Sequence, residues 1–172
     1  MNNHLPERKP QRFNEFDYNT PAWYYLTMCT DDKKHLFGKV VNGSMLLNDF
    51  GKIVDNCWNE IPKHFANVQL DYYVIMPNHI HGIIILDVGD ANCASRKSDE
   101  DRTKMKLPIV IQQFKRQCTQ LIKTRYNYSG KIWQRSFYER IIRNEKELYQ
   151  IRKYIDQNAL KWELDDHIIE NM

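Results

Sequence analysis

The run from Tyr72 to Leu86, YYVIMPNHIHGIIIL, constrains the fold of this chain more than any other segment. Its β-branched and aromatic residues read as buried β-structure, and Pro77-Asn78 divides it at a turn dipeptide that interrupts a hydrogen-bonded ladder. Strands over 68–76 and 79–86, joined by that turn, form an antiparallel hairpin with His79 and His81 at the start of its second arm. Side chains at i and i+2 share a strand face, so the two imidazoles stand side by side, roughly 7 Å apart at Cα, with Ile80 turned the other way. That geometry suits one metal ion, and a pair of satisfied core histidines is the plainer alternative.

The rest of the chain supplies a frame for this hairpin. Ala22 to Thr30 (AWYYLTMCT) reads as a first strand, ended by the polar turn Asp31-Asp32-Lys33-Lys34. From Leu46 to about Phe65, apolar residues recur near 3.6 spacing with Asn48 or Asp49 as cap, which predicts a helix. A second amphipathic helix follows Pro108 and is broken between Tyr126 and Gly130. IWQRSFYERII reads as a short strand or strand pair, and Asn144 caps a last helix from Glu145 to about Trp162. The order strand, helix, strand, strand, helix, strand, helix is that of an α+β, ferredoxin-like antiparallel sheet. Helices lie on one of its faces, an extra helix is C-terminal, and the other face is left for a ligand. The whole of 1–172 reads as one domain, with 1–20 an extended polar arm and 87–106 a flexible loop.

Composition narrows the setting. Hydrophobic residues make up 42% of the chain and aromatic residues 12%, as in a folded globular protein. There is no run of ~20 apolar residues that would span a membrane, nor an apolar secretory segment at the N-terminus, so a cytoplasmic protein without a membrane partner is expected. Cys29, Cys57, Cys93 and Cys118 are scattered with no CxxC pair, which argues against a zinc knuckle or a disulfide framework. Between Arg102 and Lys153 fourteen Lys or Arg residues face three acids, while the chain as a whole carries a net charge of only +3. Such clustering favours a polyanion, because grouped cations displace counterions condensed on a phosphate backbone. A solvated helix face remains the alternative.

Tyr154 and Asn158, four residues apart in the last predicted helix, would share a face and could meet the His pair together. Two imidazoles and an amide oxygen can hold a divalent cation with positions left open for a phosphate oxygen. A phenol is ordinarily a weak nucleophile, yet beside a cation that neutralises the phosphate it can attack. The phosphotyrosine ester so formed would conserve the bond energy for later rejoining. Tyr138, Tyr72 and Tyr73 are the rival tyrosines.

MPNHIHGIII resembles the His-hydrophobic-His signature of the HUH endonuclease superfamily. IWQRSFYERIIRNEKEL followed by YIDQN, together with RFNEFDYNTPAWYYLTMCT and Phe37-Gly38, resembles the REP-associated tyrosine transposases, relatives of the insertion-sequence 200-like single-strand transposases. The likeness runs from about Arg12 to Asp165. It implies a metal-dependent single-stranded DNA endonuclease and strand transferase that acts near DNA hairpins through a 5′-phosphotyrosine intermediate. His79, His81 and Asn158 would bind Mg2+ or Mn2+, and Tyr154 would be the nucleophile. Relatives often place proline after the asparagine, where this chain has Ala159. The basic strip, with Lys115, Arg116, Arg135, Arg140 and Arg143 as candidates, would hold DNA. The tyrosine helix of related enzymes can come from a partner subunit, so a homodimer and a monomer are both open. A replication-initiator or relaxase-like nickase, or a catalytically silent nucleic-acid-binding module, are the competing readings.

Overall fold

A computed structural model describes residues 22–87 and 107–170, so the polar arm and most of the 87–106 loop lie outside the described residues. Strands β1 (Ala22–Cys29), β2 (Gly38–Val41) and β3 (Ser44–Leu47) are followed by α1 (Asp49–His64). Then come β4 (Val68–Met76), β5 (His79–Leu86), α2 (Leu107–Tyr126), β6 (Tyr138–Ile142), α3 (Glu145–Asp156) and α4 (Asn158–Glu170). Four strands form one antiparallel sheet in the order β4-β5-β1-β6, the ferredoxin-like arrangement. Central β5 is buried on both faces, which is why its sequence is apolar almost throughout.

Each face has its own helices. On one side, α1 and α2 cover a core that includes Leu26, Ile80, Ile84, Trp58 and Phe114. Asn48 starts α1 by accepting the Gly51 N–H at 2.9 Å, and the apolar stripe Ile53, Val54, Cys57, Trp58, Ile61 lies inward. Gly82 lets the Trp58 indole press directly on β5: a Cβ there would sit 2.5 Å from Trp58 Cζ2. On the opposite side, Leu148 and Ile155 of α3 pack with Ile83 and Ile142 in a second, smaller cluster. The face expected to stay free is therefore partly covered by α3.

The structure differs from the sequence reading at three further places. Residues Leu46 and Leu47 belong to β3, not to the first helix, which begins at Asp49. The hairpin β2–β3 is an unpredicted element, turning at Asn42 and Gly43 with φ of 52° and 68°, the pair of positive values that a two-residue hairpin turn requires. The single last helix is two helices, since Gln157, with ψ of 2°, separates α3 from α4. Among the described residues no helix is long and apolar enough to cross a membrane.

Candidate active site

The β4–β5 turn fixes the first imidazole. Thr30 donates through its N–H and its hydroxyl to Asn78 O at 2.9 and 3.0 Å, and the Leu36 N–H donates to Pro77 O at 2.9 Å. His79 leaves this anchored turn with Nδ1 2.6 Å from Asn78 Oδ1. Two residues on, His81 faces the same way, the ring centroids lying 4.5 Å apart. Burial lowers His79 to about 4, a hydrogen bond to Asn158 working against the shift, and lowers His81 to about 3 with the neighbouring His79 adding to it. Both rings are therefore neutral near pH 7 and have lone pairs to offer.

Strand β1 orients His81. Thr27 pairs with His81 across the ladder, and Tyr25 lies two residues back on the same face. The Thr27 hydroxyl is 2.9 Å and the Tyr25 hydroxyl 2.8 Å from His81 Nδ1, and the Tyr25 ring stacks on the imidazole at 5.6 Å. Burial pushes the Tyr25 phenol up to about 12, so it remains a protonated hydrogen-bonding group. With Nδ1 held, Nε2 is left to the far side, where the Tyr154 hydroxyl stands 3.3 Å away. Sequence reasoning passed over Tyr25 and Thr27. The signal was there in the alternation of AWYYLTMCT, legible once β1 is paired antiparallel to the His strand.

The C-terminal helices deliver the remaining groups in the same chain. Tyr154, 39% exposed, lies in the last turn of α3, while Asn158, 6% exposed, opens α4 with its side chain hydrogen-bonded to His79. The Trp162 ring lies 5.7 Å from His79 and 5.4 Å from His35. The Glu163 carboxylate accepts the Asn42 and Gly43 N–H groups at 2.9 and 2.6 Å, which ties α4 to the tip of the β2–β3 hairpin. Of the rival tyrosines, Tyr73 is turned to α1, donating to Asp55 Oδ1 at 2.8 Å. Tyr72 lies under the Arg152 guanidinium, and Tyr138 is edge-on to Tyr25 at 6.3 Å.

Two imidazole nitrogens and one amide oxygen thus converge. Among the described residues no group of three or more His, Cys, Asp or Glu side chains comes together, so a third protein donor beside the two imidazoles would have to be a group of another kind, such as the Asn158 carboxamide. Neutral nitrogen and oxygen donors of this kind fit a divalent cation of the Mg2+ or Mn2+ class. Holding each Nδ1 against a neighbouring oxygen is also how ligating imidazoles are oriented.

The five basic candidates are not gathered at the His pair. Lys115 donates to the carbonyls of Gln134 and Ser136, both at 3.0 Å, and burial lowers its ammonium to about 8. Arg140 pairs with Glu147 at 2.6 Å, and the Arg143 N–H donates to the same carboxylate at 3.0 Å. Arg116 and Arg135 line a groove beside α2.

No protein-family model matches the chain. An uncharacterised protein of Haemophilus influenzae is 34% identical over 173 residues, covering 96% of each chain. A provisionally named REP-associated tyrosine transposase of the same organism is 28% identical over 151 residues, covering 84% of this chain and 74% of its own. The fold is similar to that of a REP-associated tyrosine transposase solved bound to a REP hairpin, with a TM-score of 0.55 at 20% identity over 81% of this chain and 67% of the other.

Proposed function

We propose that this chain belongs to the REP-associated tyrosine transposase family and that it cuts and transfers single-stranded DNA beside hairpins through a bond to Tyr154. The observation that carries the reading is convergence: the Tyr154 hydroxyl and Asn158 side chain meet His81 and His79 within one chain. In the proposed step the Tyr154 phenolic oxygen bonds to phosphorus and gives up its proton. The bond from phosphorus to the 3′-oxygen breaks, and that oxygen leaves as a 3′-hydroxyl. A divalent cation held by His79, His81 and Asn158 would neutralise charge on the phosphate. Tyr25 and Thr27 keep His81 turned so that Nε2 faces the reaction, and the half-exposed Tyr154 is open to incoming DNA.

The test is a suicide oligonucleotide carrying a hairpin, incubated with protein and Mn2+ and run under denaturing conditions. Wild-type protein is expected to give a denaturation-resistant protein–DNA band, Tyr138→Phe to retain it and Tyr154→Phe to abolish it. Retention by Tyr154→Phe would refute the assignment. Reversible binding with no covalent band from wild-type protein would favour the silent binding module.

A further inference from the structure

Helix α4 turns one face to the histidines. Asn158, Lys161 and Trp162 stand at positions i, i+3 and i+4, which share a side of a helix. Each of them reaches the site. Asn158 hydrogen-bonds His79, the Trp162 ring lies 5.7 Å from His79, and the Lys161 ammonium lies over the Tyr154 ring, 5.2 Å from its centroid. The same turn is anchored on both sides. The Lys161 N–H donates to Gln157 O at 3.1 Å, at the break between α3 and α4, and the Glu163 carboxylate accepts the Asn42 and Gly43 N–H groups.

Lys161 differs from the other cations on this face of the sheet. Arg140 is paired with Glu147 and Arg152 with Asp71, each at 2.6 Å. Lys33 belongs to the other imidazole: its charge is felt at His79, and the Asn78 side-chain amide donates to its carbonyl at 3.2 Å. Lys161 is exposed and rests on the ring of the tyrosine that the strand-transfer reading makes the nucleophile. A solvated ammonium is held only weakly by a phenol ring, and its flexible four-carbon stem lets it turn to a stronger partner without moving the helix.

That partner follows from the proposed step. A phosphodiester linkage carries one negative charge, shared by two non-bridging oxygens. While the Tyr154 oxygen, having given up its proton, bonds to phosphorus and the 3′-oxygen has not yet left, the phosphoryl group gathers a second. Cations placed where such charge develops lower the barrier to phosphoryl transfer. We infer that Lys161 is a further catalytic residue, whose ammonium leaves the Tyr154 ring to donate to a non-bridging oxygen of the phosphate under attack. It makes and breaks no covalent bond. The inference rests on the strand-transfer reading and adds to it a charged side chain that lies outside the His-hydrophobic-His and YIDQN segments.

The test uses the full chain and the hairpin-bearing suicide oligonucleotide, the cut linkage being mapped from the fragment that wild-type protein releases. Adduct formation is timed at saturating oligonucleotide and Mn2+. Lys161→Met is expected to slow it ~100-fold, the usual cost of removing one donor to a developing charge. Lys161→Arg should restore most of the rate, and Lys146→Met, which removes one charge at the exposed far end of α3, should leave it unchanged. A wild-type rate in Lys161→Met, an equal loss in Lys146→Met, or a loss that Lys161→Arg does not relieve overturns the inference. Binding then separates a contact to the phosphate from support of the ring. In a Tyr154→Phe background, Lys161→Met and a neutral methylphosphonate at the mapped linkage should each weaken binding about fivefold, and together no more than either alone. Losses that add, or no loss from Lys161→Met, put the ammonium away from the phosphate and overturn the inference. Absence of adduct from wild-type protein removes the parent reading and this inference together, whereas wild-type adduct with an unaltered Lys161→Met rate removes Lys161 alone.

Discussion

The helix that carries Tyr154 is attached to the sheet by Leu148 and Ile155, by the Arg140–Glu147 pair and by a forked Arg152–Asp71 pair, and cutting the fork should loosen the helix before the fold. Two residues of β4, Asp71 and Tyr72, lie opposite the single Ile83 of β5, since Leu70 pairs with Ile84 and Tyr73 with Gly82, so the strand bulges there. The bulge re-aims the Asp71 carboxylate toward α3. There Arg152 donates from Nε to Oδ1 at 2.9 Å and from Nη2 to Oδ2 at 2.6 Å, while its guanidinium lies over the rings of Trp23 and Tyr72 at 5.7 and 5.3 Å.

Arg152→Ala removes both bonds and leaves a carboxylate that is 12% exposed and still accepts the Tyr72 N–H. A charge-assisted pair of this geometry contributes ~1.5–3 kcal/mol and each ring contact ~0.5–1 kcal/mol. These terms share one side chain and do not add, and the guanidinium is partly solvated, so about 2 kcal/mol is expected for the docking of α3. Leu148 and Ile155 keep the helix tethered, so the loss should appear as local opening. Hydrogen exchange is the assay: α3 amides should exchange about 30-fold faster at about 2 kcal/mol, with β5 amides little changed. Unaltered α3 exchange would refute the reasoning, and equal acceleration in β5 would show that the pair supports the whole fold instead.

Gly82→Ala should destabilise the fold by ~1–3 kcal/mol in a denaturant titration, because the added Cβ meets the fully buried Trp58 ring at 2.5 and 2.8 Å. A loss under ~0.5 kcal/mol would mean the indole moves aside at little cost. Burial raises the Asp71 carboxyl, but the Arg152 hydrogen bond, the Tyr72 N–H and the Arg152 charge together win and leave it lowered. Its contribution to stability is therefore fully present above the ordinary value of 3.8 and is lost as pH falls from there through the lower folded value. Acid unfolding of Asp71→Asn should show a flatter limb in that window than wild-type protein. Tyr25→Phe/Thr27→Val frees His81 Nδ1 and should weaken Mn2+ binding ~10–100-fold by calorimetry, with circular dichroism unchanged. Wild-type affinity in that variant would show that these hydroxyls do not orient the imidazole.

What was legible in the sequence is what local chemistry alone decides. Strands β4 and β5 and their turn could be placed to the residue because β5, buried on both faces, is a near-continuous apolar run, β4 is rich in aromatic and aliphatic residues, and Pro77 can only interrupt the two. The β2–β3 hairpin escaped because its strands are four residues each and partly exposed, so alternation is weak and Leu46, 52% exposed, reads as the start of the next helix. Its one clear mark was Asn42-Gly43, the dipeptide that adopts two successive positive φ values most easily. The basic stretch was legible as charge but not as a surface. Which cations share a wall depends on how α2 packs against residues 131–135, and Lys115, in the middle of that run, braces carbonyls instead of facing solvent.

Tyr154 and Asn158 reach the His pair through a geometry other than the one their spacing suggests. The spacing of four residues placed both on one face of one helix, from which they would approach the His pair as a unit. The two residues instead lie in the last turn of one helix and at the start of the next, across Gln157, and they divide the imidazoles between them: Tyr154 meets His81, and Asn158 meets His79. The division separates two demands that one rigid face would combine. Asn158 is buried and held by the Glu163 clamp on the β2–β3 turn, as a fixed donor should be. Tyr154 is exposed in the last turn of a helix anchored by the Arg152 fork and the Arg140–Glu147 pair, as would suit the proposed role of reaching an incoming phosphate. Ala159 in place of proline does not remove the break, because the chain leaves helical geometry one residue earlier than Asn158. A substitution that fused α3 and α4 into one continuous helix would therefore be expected to harm the convergence at the His pair even though the four-residue spacing is kept.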